Sequence, residues 1–236
     1  MARHRRSRQV TVPTSAPLSV VVVGSGRVGT ALATNLRSLG HHVRVARRTP
    51  GDDDDIGIDG AAAGADITIL AVPFGAVSDV VPRLGLEAGA VLVDATNPFG
   101  RPVPDGAASG AAVVAEAAGE GVHVVKAFNV LGAEHMSTPP LPDGYRPLLP
   151  VAADDDSARH LVAGLATAMG FDAVEIGGLN NAGLLEEGAR YWGLLAFDGG
   201  LGRNFVLVAH RRPETKHQAR GIPSRSNEDN SGEELP

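Results

Sequence analysis

A run of four valines, Val20 to Val23, leads directly into the motif Gly24-Ser25-Gly26-Arg27-Val28-Gly29 and then into an apolar helical pattern that ends at Gly40. A buried strand followed by G-x-G-x-x-G and a helix is the arrangement by which α/β proteins hold a dinucleotide pyrophosphate. The first glycine makes the tight turn, the second lets the backbone approach the phosphates, and the third lets the helix pack against the strand. The N-terminus of that helix offers unpaired N–H groups to the anion. We therefore expect this junction to bind a dinucleotide.

The end of the next predicted strand, His42 to Ala46, indicates which dinucleotide is bound. An NAD-binding protein carries an aspartate or glutamate at this position, which holds the ribose 2′-hydroxyl. Here Ala46 is followed by Arg47, Arg48 and Thr49. Two guanidiniums and a hydroxyl suit a dianionic 2′-phosphate better than a neutral diol. The alternative is a solvated basic turn; we expect NADP(H) as the cofactor.

The composition limits the classes of protein that the chain can form. Its 236 residues allow one α/β domain with a small appendage, and 43% apolar residues suffice for a sizeable core. The absence of cysteine excludes disulfides, thiolate catalysis and cysteine-ligated metal centres. A net charge of −6 argues against nucleic-acid binding, and no apolar run reaches the length of a membrane span. We expect neither a nucleic acid nor a membrane as partner.

The distribution of apolar residues divides the chain into four parts. Residues 1–17 are predicted to be a disordered basic tail, because a twin-arginine export signal would need a separate apolar segment after its arginines. Residues 18–149 are predicted to form the NADP-binding domain, and residues 150–209 a small C-terminal extension for the acceptor site or for dimerisation. Residues 210–236 are polar and are predicted to be a second disordered tail. We expect the protein to be cytoplasmic.

Strand and helix patterns alternate through the first folded part. Apolar strands are predicted at 66–72, 90–95 and 123–128, with a short helix at 76–84. Continuously apolar strands in βα units indicate an α/β fold with a doubly wound parallel sheet. Ligands of such sheets bind beyond the carboxyl ends of the strands, which here are followed by Val72-Pro73-Phe74, Thr96-Asn97-Pro98 and Asn129. We expect these residues to line one crevice with the glycine loop, residues 24–29.

The extension continues the alternation and contains one of two acidic runs. Strands are predicted at 148–152 and 171–176, and helices at 157–169 and about 182–197. Asp154-Asp155-Asp156 is interpreted as the cap of a helix rather than a metal site, because acids there complement the helix dipole. The run Asp52 to Asp55 is interpreted as a solvated loop that could compete with a 2′-phosphate for the arginines. The histidines lack the spacing of metal ligands, so we expect no metal site.

Seven short motifs occur in an order that resembles one protein family. They are the glycine loop, Arg47-Arg48, Ala71-Val72-Pro73, Thr96-Asn97-Pro98, Lys126-Ala127-Phe128-Asn129, Met169-Gly170-Phe171-Asp172 and Gly199-Gly200-Leu201-Gly202-Arg203-Asn204. Their combination over residues 18–208 resembles the NADPH-dependent coenzyme F420 reductases (F420:NADP oxidoreductases), whose fold also occurs in the cytoplasmic domain of STEAP metalloreductases. The resemblance implies a Rossmann fold with a small C-terminal extension, a homodimer, and hydride transfer between NADPH and a deazaflavin, coenzyme F420.

The resemblance also implies roles for single positions in cofactor binding. Ser25, Arg27 and Val28 would contact the pyrophosphate, and the strand-end arginines with Thr49 would contact the 2′-phosphate. The ribose and the nicotinamide would be flanked by Ala71, Val72, Pro73, Asn97 and Pro98. Ala127 and Asn129 would lie near the nicotinamide, with Asn129 nearest, although no catalytic acid or base is identified. Val130 departs from the family, in which many members have threonine at that position.

The acceptor side leaves alternatives open. The chain could pass its hydride to a flavin, a quinone or a ferric complex, or could bind NADP(H) as a sensing protein without catalysis. Arg146, Arg190 and Arg203 are either solvated surface residues or contacts for an anionic acceptor. Three aromatic residues could form a wall of the acceptor pocket, but packing of the extension or a dimer interface is favoured because aromatics make up 4% of the chain; they are Tyr191, Trp192 and Phe197.

Overall fold

A six-stranded, entirely parallel sheet forms the centre of the molecule in the computed structural model, which describes residues 16–51, 54–100 and 102–212. The strands are β1 (Ser19–Val23), β2 (His42–Ala46), β3 (Asp55–Ile56), β4 (Ile67–Leu70), β5 (Val91–Asp94) and β6 (His123–Lys126). Their spatial order is β3-β2-β1-β4-β5-β6, which reverses direction between β1 and β4. The doubly wound parallel sheet predicted from the sequence is confirmed.

Helices cover both faces of this sheet. They are α1 (Arg27–Ser38), α2 (Val77–Val80), α3 (Gly110–Ala118), α4 (Asp156–Ala168) and α5 (Ala182–Ala196). Alternate valines of β1 belong to different cores: Val20 and Val22 pack with α1 and α4, whereas Val21 and Val23 pack with α2 and α3. A strand buried on both faces has no polar side, which is why four consecutive valines occur at this position.

The C-terminal part adds a βαβ unit beside β6. The strands β7 (Leu148–Val151) and β8 (Asp172–Glu175) form a parallel pair connected by α4. An antiparallel bridge between Lys126 and Ala152 joins this pair to β6. Leu149 and Phe171 share one hydrophobic cluster with residues of β1 and β4, so the extension packs into the same core. The boundary at residue 150 stays a prediction, as do the tails, which lie mostly outside the described residues.

Local signals at helix ends account for several boundaries. Gly40 follows α1 with φ of +85°, a conformation in which glycine avoids the penalty of a side chain. Asp155 caps α4 by accepting a hydrogen bond of 2.7 Å from the N–H of Ala158, as the capping interpretation predicts. The helix predicted at 76–84 is one α-helical turn, α2, between two 3₁₀ turns, and Pro82 lies in the second of these.

The helix α3 and the short strand β3 were not predicted, and the interpretation of the acidic run 52–55 as a solvated loop was wrong for Asp55. The alanine-rich helix α3 is capped by Ser109, which accepts a hydrogen bond from the N–H of Ala112. Asp55 does not belong to a solvated loop: it begins β3 at the edge of the sheet, and its side chain is 7% exposed. It pairs with β2 at the edge of the sheet, and its carboxylate forms an ion pair with Arg47, the residue that follows β2. Asp52 and Asp53 of the same run lie outside the described residues.

Candidate functional site

The glycine loop connects β1 to α1 in the geometry that the motif predicts. Gly24 has φ of +111°, and a Cβ atom there would lie 2.4 Å from the carbonyl oxygen of Ala71. A Cβ atom on Gly29 would lie 2.0 Å from the carbonyl oxygen of Gly24, so only glycine lets the helix pack this closely. Around Gly26, by contrast, no described atom beyond the adjoining backbone and chain neighbours lies within 4 Å of the position of a Cβ. This open space is what a pyrophosphate approaching the backbone requires.

The N-terminus of α1 is free to bind an anion. Its N-cap residue is Gly26, and no side chain of the described residues caps the first turn, which also contains no acidic residue. No hydrogen bond to a capping side chain competes for the N–H groups of this turn, and the helix itself places no carboxylate in it. Together with the space above Gly26, this arrangement fits the pyrophosphate of a dinucleotide.

A cavity of about 460 Å³ lies on the β2 side of the loop. Its lining contains the strand-end residues Arg47, Arg48 and Thr49, together with residues of the glycine loop and of the segment 71–73. Arg48 and Thr49 are exposed, whereas the side chain of Arg47 is 29% exposed and pairs with Asp55. The basic end of β2 thus lines the same cavity as the glycine loop, as the prediction of a 2′-phosphate site requires.

A larger cavity of about 870 Å³ lies on the other side of the loop and extends to α5. It shares Gly26 and the segment Ala71-Val72-Pro73 with the smaller cavity, so the two form one cleft across the carboxyl ends of the strands. Arg27, Asn97 and Asn129 line it among the predicted site residues. Pro98 instead lines a neighbouring cavity of about 650 Å³.

Two asparagines connect the ends of β5 and β6 at the floor of the large cavity. The side-chain amide of Asn129 donates hydrogen bonds to Oδ1 of Asn97 (2.9 Å) and to the carbonyl of Leu185 (3.1 Å). Asn97 donates in return to the carbonyl of Asn129 (2.8 Å). The buried Oδ1 of Asn129 has no hydrogen-bond partner among the described residues. An acceptor without a partner at this position requires a donor from outside the described residues.

The backbone beside Asn129 is strained. Phe128 has φ of +60° and is the one non-glycine residue with positive φ in the part of the chain that the structure describes. Its ring is buried against Phe171, with the two centroids 5.7 Å apart, and this packing fixes the unfavourable conformation. Ala127, which was predicted to lie near the nicotinamide, is fully buried in the core below the cleft. The turn at Phe128 therefore brings Asn129 and Val130, but not Ala127, to the cavity.

A buried ionic cluster supports the floor from below. Nζ of Lys126 lies 2.9 Å from Asp94, 3.2 Å from Glu186 and 2.7 Å from the carbonyl oxygen of Thr96, and its side chain is 0% exposed. Asp94 also accepts the N–H of Thr96 (2.8 Å), while Glu186 accepts the N–H groups of Gly110 and Ala111 at the start of α3. The cluster therefore fixes β5, β6, α3 and α5 relative to one another. The sequence signal for it was a lysine in the apolar strand 123–128.

The outer wall of the large cavity comes from α5 and the segment after it. Trp192 stacks on Phe205, with their centroids 5.2 Å apart, and the guanidinium of Arg203 lies 5.8 Å from the centroid of Trp192. Phe197 and Arg190 also line this cavity, and Phe197 is 63% exposed. Tyr191 and Arg146 are exposed and do not line it. Of the predicted aromatic residues, Trp192 thus belongs both to the wall and to the packing of the extension.

Glu134 connects the glycine loop to the C-terminal segment, and sequence reasoning did not find it. Its carboxylate forms ion pairs with Arg27 and with Arg203, whose Nε lies 2.6 Å from Oε1. The hydrogen bond from Arg203 is the main reason why the pKa of Glu134 falls to about 2, against the opposing effect of partial burial. The carboxylate is therefore charged at neutral and mildly acidic pH, and it holds Arg27 at the edge of the cleft.

Two kinds of feature are absent from the described residues. No group of three or more histidine and acidic side chains is arranged to hold a metal ion within the described ranges. Likewise, none of the helices that the structure describes has the length and apolar character of a membrane span.

Comparison with known proteins agrees with this geometry. Residues 19–98 match the model of a family described as NADP oxidoreductase, coenzyme F420-dependent. The metalloreductase STEAP3 of Rattus norvegicus is 32% identical over 181 residues, which make up 72% of this chain and 36% of that protein. The chain thus spans about a third of the length of this curated relative.

Solved structures share the fold. A protein from Arthrobacter sp. FB24, provisionally named an F420-dependent NADP-reductase, matches with a TM-score of 0.72 and 24% identity over 82% of this chain and 100% of its own. The hypothetical protein SMa0349 from Sinorhizobium meliloti matches with a TM-score of 0.63 and 27% identity, over 70% of this chain and 88% of its own. These similarities support the Rossmann-type fold predicted from the motifs.

Proposed function

We propose that this chain, whose residues 19–98 match the model of the family described as NADP oxidoreductase, coenzyme F420-dependent, transfers a hydride between NADPH and a deazaflavin, coenzyme F420. The observation that supports this proposal is the continuous cleft. One end of it carries Arg47, Arg48 and Thr49, the middle carries the open glycine loop, and the other end is a large apolar cavity. A cleft of this form accommodates a dinucleotide in extended conformation beside a second planar molecule.

Each part of the cleft has a separate task in this proposal. Arg48 and Thr49 hold the 2′-phosphate, and the uncapped first turn of α1 holds the pyrophosphate. Val72 and Pro73 flank the dinucleotide where the two cavities meet, and the free acceptor of Asn129 binds the amide of the nicotinamide ring. These residues would hold and orient the nicotinamide end of the dinucleotide in the large cavity.

The apolar cavity supplies orientation and excludes water. When bound, NADPH supplies the hydride from nicotinamide C4, which the deazaflavin accepts at C5 together with one proton from solvent, giving NADP⁺ and the reduced deazaflavin. Such a transfer requires two rings held about 3–3.5 Å apart and aligned, rather than a nucleophile. Val130, Leu131, Met136 and Trp192 line the cavity in which the second ring would lie. Arg190 and Arg203 at its rim could pair with an anionic substituent of that ring system.

The test is anaerobic mixing of the purified protein with NADPH and oxidised coenzyme F420, followed through the loss of deazaflavin absorbance. We expect turnover with NADPH and much slower turnover with NADH, because Arg48 and Thr49 have no 2′-phosphate to bind in NADH. Calorimetric titration with NADPH alone is run in parallel. Tight NADPH binding without deazaflavin reduction would contradict the acceptor while leaving the cofactor assignment intact.

A ferric complex is the second candidate acceptor. The observation that favours it is the similarity to STEAP3, a metalloreductase, although this chain spans 36% of that protein. The same anaerobic assay with a soluble ferric chelate, alone and with added flavin, distinguishes this candidate from the deazaflavin. If NADPH binds and neither acceptor is reduced, a quinone acceptor or a non-catalytic NADP(H)-sensing role becomes the better explanation.

We also propose a cytoplasmic homodimer. Leu184, Tyr191 and Leu194 lie on one side of α5 and are 70%, 56% and 57% exposed, and clustered apolar side chains on a surface favour contact with a partner. Sedimentation equilibrium tests the dimer: a single species with the chain mass of 24.2 kDa at micromolar concentration would contradict it.

A further inference from the structure

The guanidinium of Arg47 already has an anionic partner within the proposed 2′-phosphate site. Asp55 stands on the neighbouring strand β3, and its carboxylate pairs with Nη2 of Arg47. The same carboxylate accepts a hydrogen bond of 2.9 Å from the N–H of Gly51, so it closes the turn that carries Arg48 and Thr49. With the Asp55 side chain 7% exposed and that of Arg47 29% exposed, the pair is largely shielded from water. Charges at such a site interact more strongly than on an open surface.

The described residues near the cavity carry charges of both signs. Arg47 and Arg48 contribute two positive charges, and the negative charge of Asp55 offsets that of Arg47. Asp79 also lines the cavity, but its side chain is 75% exposed and lies 3.6 Å from Arg83. Asp54, the other described acid of the run, is 71% exposed and lies 3.5 Å from Arg37 on α1. Among the described acids near the cavity, Asp55 is thus the buried one that directly opposes an arginine of the site.

From this geometry we propose that Asp55 determines cofactor specificity by limiting the preference for NADPH over NADH. The inference rests on the proposed binding of NADPH at this cleft. A 2′-phosphate dianion bound beside Arg47 must compete with the carboxylate for that guanidinium, and the carboxylate repels it because both are negatively charged. NADH carries a 2′-hydroxyl there and meets neither penalty. Arg48 and Thr49, which are exposed and face the cavity, then supply the main attraction for the phosphate.

Calorimetric titration of NADPH and NADH into the wild-type chain and the variant Asp55→Asn tests the proposal. The asparagine keeps the size of the side chain and an oxygen acceptor for the N–H of Gly51 while removing the charge. We expect NADPH to bind about tenfold more tightly, as the removal of one nearby charge of like sign predicts. NADH affinity should stay within about twofold, since its 2′-hydroxyl carries no charge for Asp55 to repel.

Two further variants serve as controls. Asp54→Asn removes an adjacent but exposed charge and should leave both affinities unchanged. In an Arg47→Ala background, Asp55→Asn should lose most of its effect, because the guanidinium that it releases is absent. If Asp55→Asn unfolds, as a thermal melt would reveal, Asp55→Ser is measured instead, since its hydroxyl can still accept from Gly51.

The outcomes separate this inference from the proposed function. Unchanged or weaker NADPH binding by a folded Asp55 variant would overturn the inference, because the carboxylate would then orient Arg47 rather than compete for it. Equal changes for NADPH and NADH would overturn it as well. If the wild-type chain binds neither nucleotide, or prefers NADH, the proposed function itself fails on its cofactor side. All of these readings come from binding and are independent of the hydride acceptor.

Discussion

Replacing Lys126 with methionine is expected to lower the free energy of unfolding by about 3–5 kcal/mol, the range found when one partner of a buried ion pair is removed. The ammonium group of Lys126 lies within 3.2 Å of both Asp94 and Glu186, and its side chain is 0% exposed. Methionine has a similar length but leaves two buried carboxylates without a positive charge between them. Urea denaturation followed by circular dichroism measures the change.

A matched variant distinguishes the lost charge from the lost packing. In the triple variant Lys126→Met, Asp94→Asn, Glu186→Gln, the carboxylates become neutral amides of the same shape, and most of the stability should return. NADPH binding should recover less completely than stability, because the carbonyl of Thr96 and the adjacent Asn97 no longer have the ammonium group beneath them. A loss below about 1 kcal/mol in the single variant would show that the cluster is solvated and does not support the floor of the cleft.

The fold was predictable because its signals are local. The valines of β1, the glycine that ends α1 and the aspartate that caps α4 each act within a few residues, and each has one dominant physical reason. The rule that ligands bind at the carboxyl ends of parallel strands likewise predicts from the sequence that Asn97 and Asn129 lie beside the glycine loop, where the large cavity brings them together with Gly26.

The charged partners were not predictable, because each pairing depends on tertiary structure. Glu186 on α5 reaches Lys126 on β6, and Glu134 reaches Arg27, only once the sheet order and the path of the C-terminal segment are known. Asp55 was interpreted as part of a solvated acidic run, since four consecutive aspartates favour a loop on composition alone. Asp55 is buried because the two-residue strand β3 pairs with β2 at the edge of the sheet. A strand of two residues is too short to give a recognisable pattern in the sequence.

The second prediction with a large effect concerns the glycine loop, in which Gly29 and Gly26 differ in the space that surrounds them. Gly29→Ala is expected to destabilise the fold by at least about 3 kcal/mol, the upper end of overpacking penalties, because the obstructing atom is backbone. The new methyl group would lie 2.0 Å from the carbonyl oxygen of Gly24 and 3.4 Å from Val22, so α1 would have to move away from β1. A drop in the urea midpoint with an unchanged slope would report this loss.

Gly26→Ala is the matched control, with the opposite pattern. Gly26 has φ of −73°, which alanine adopts without strain. No described atom beyond the adjoining backbone and chain neighbours lies within 4 Å of the new methyl group, so stability should change by less than about 0.5 kcal/mol. The methyl group occupies the space through which a pyrophosphate would reach the N-terminus of α1. NADPH and NADH should therefore both bind at least about tenfold more weakly, a loss of about 1.4 kcal/mol or more. This equal loss contrasts with the selective change expected at Asp55, because every dinucleotide has a pyrophosphate and only NADPH has the 2′-phosphate. Wild-type affinity in Gly26→Ala would mean that the pyrophosphate does not approach the loop at its second glycine.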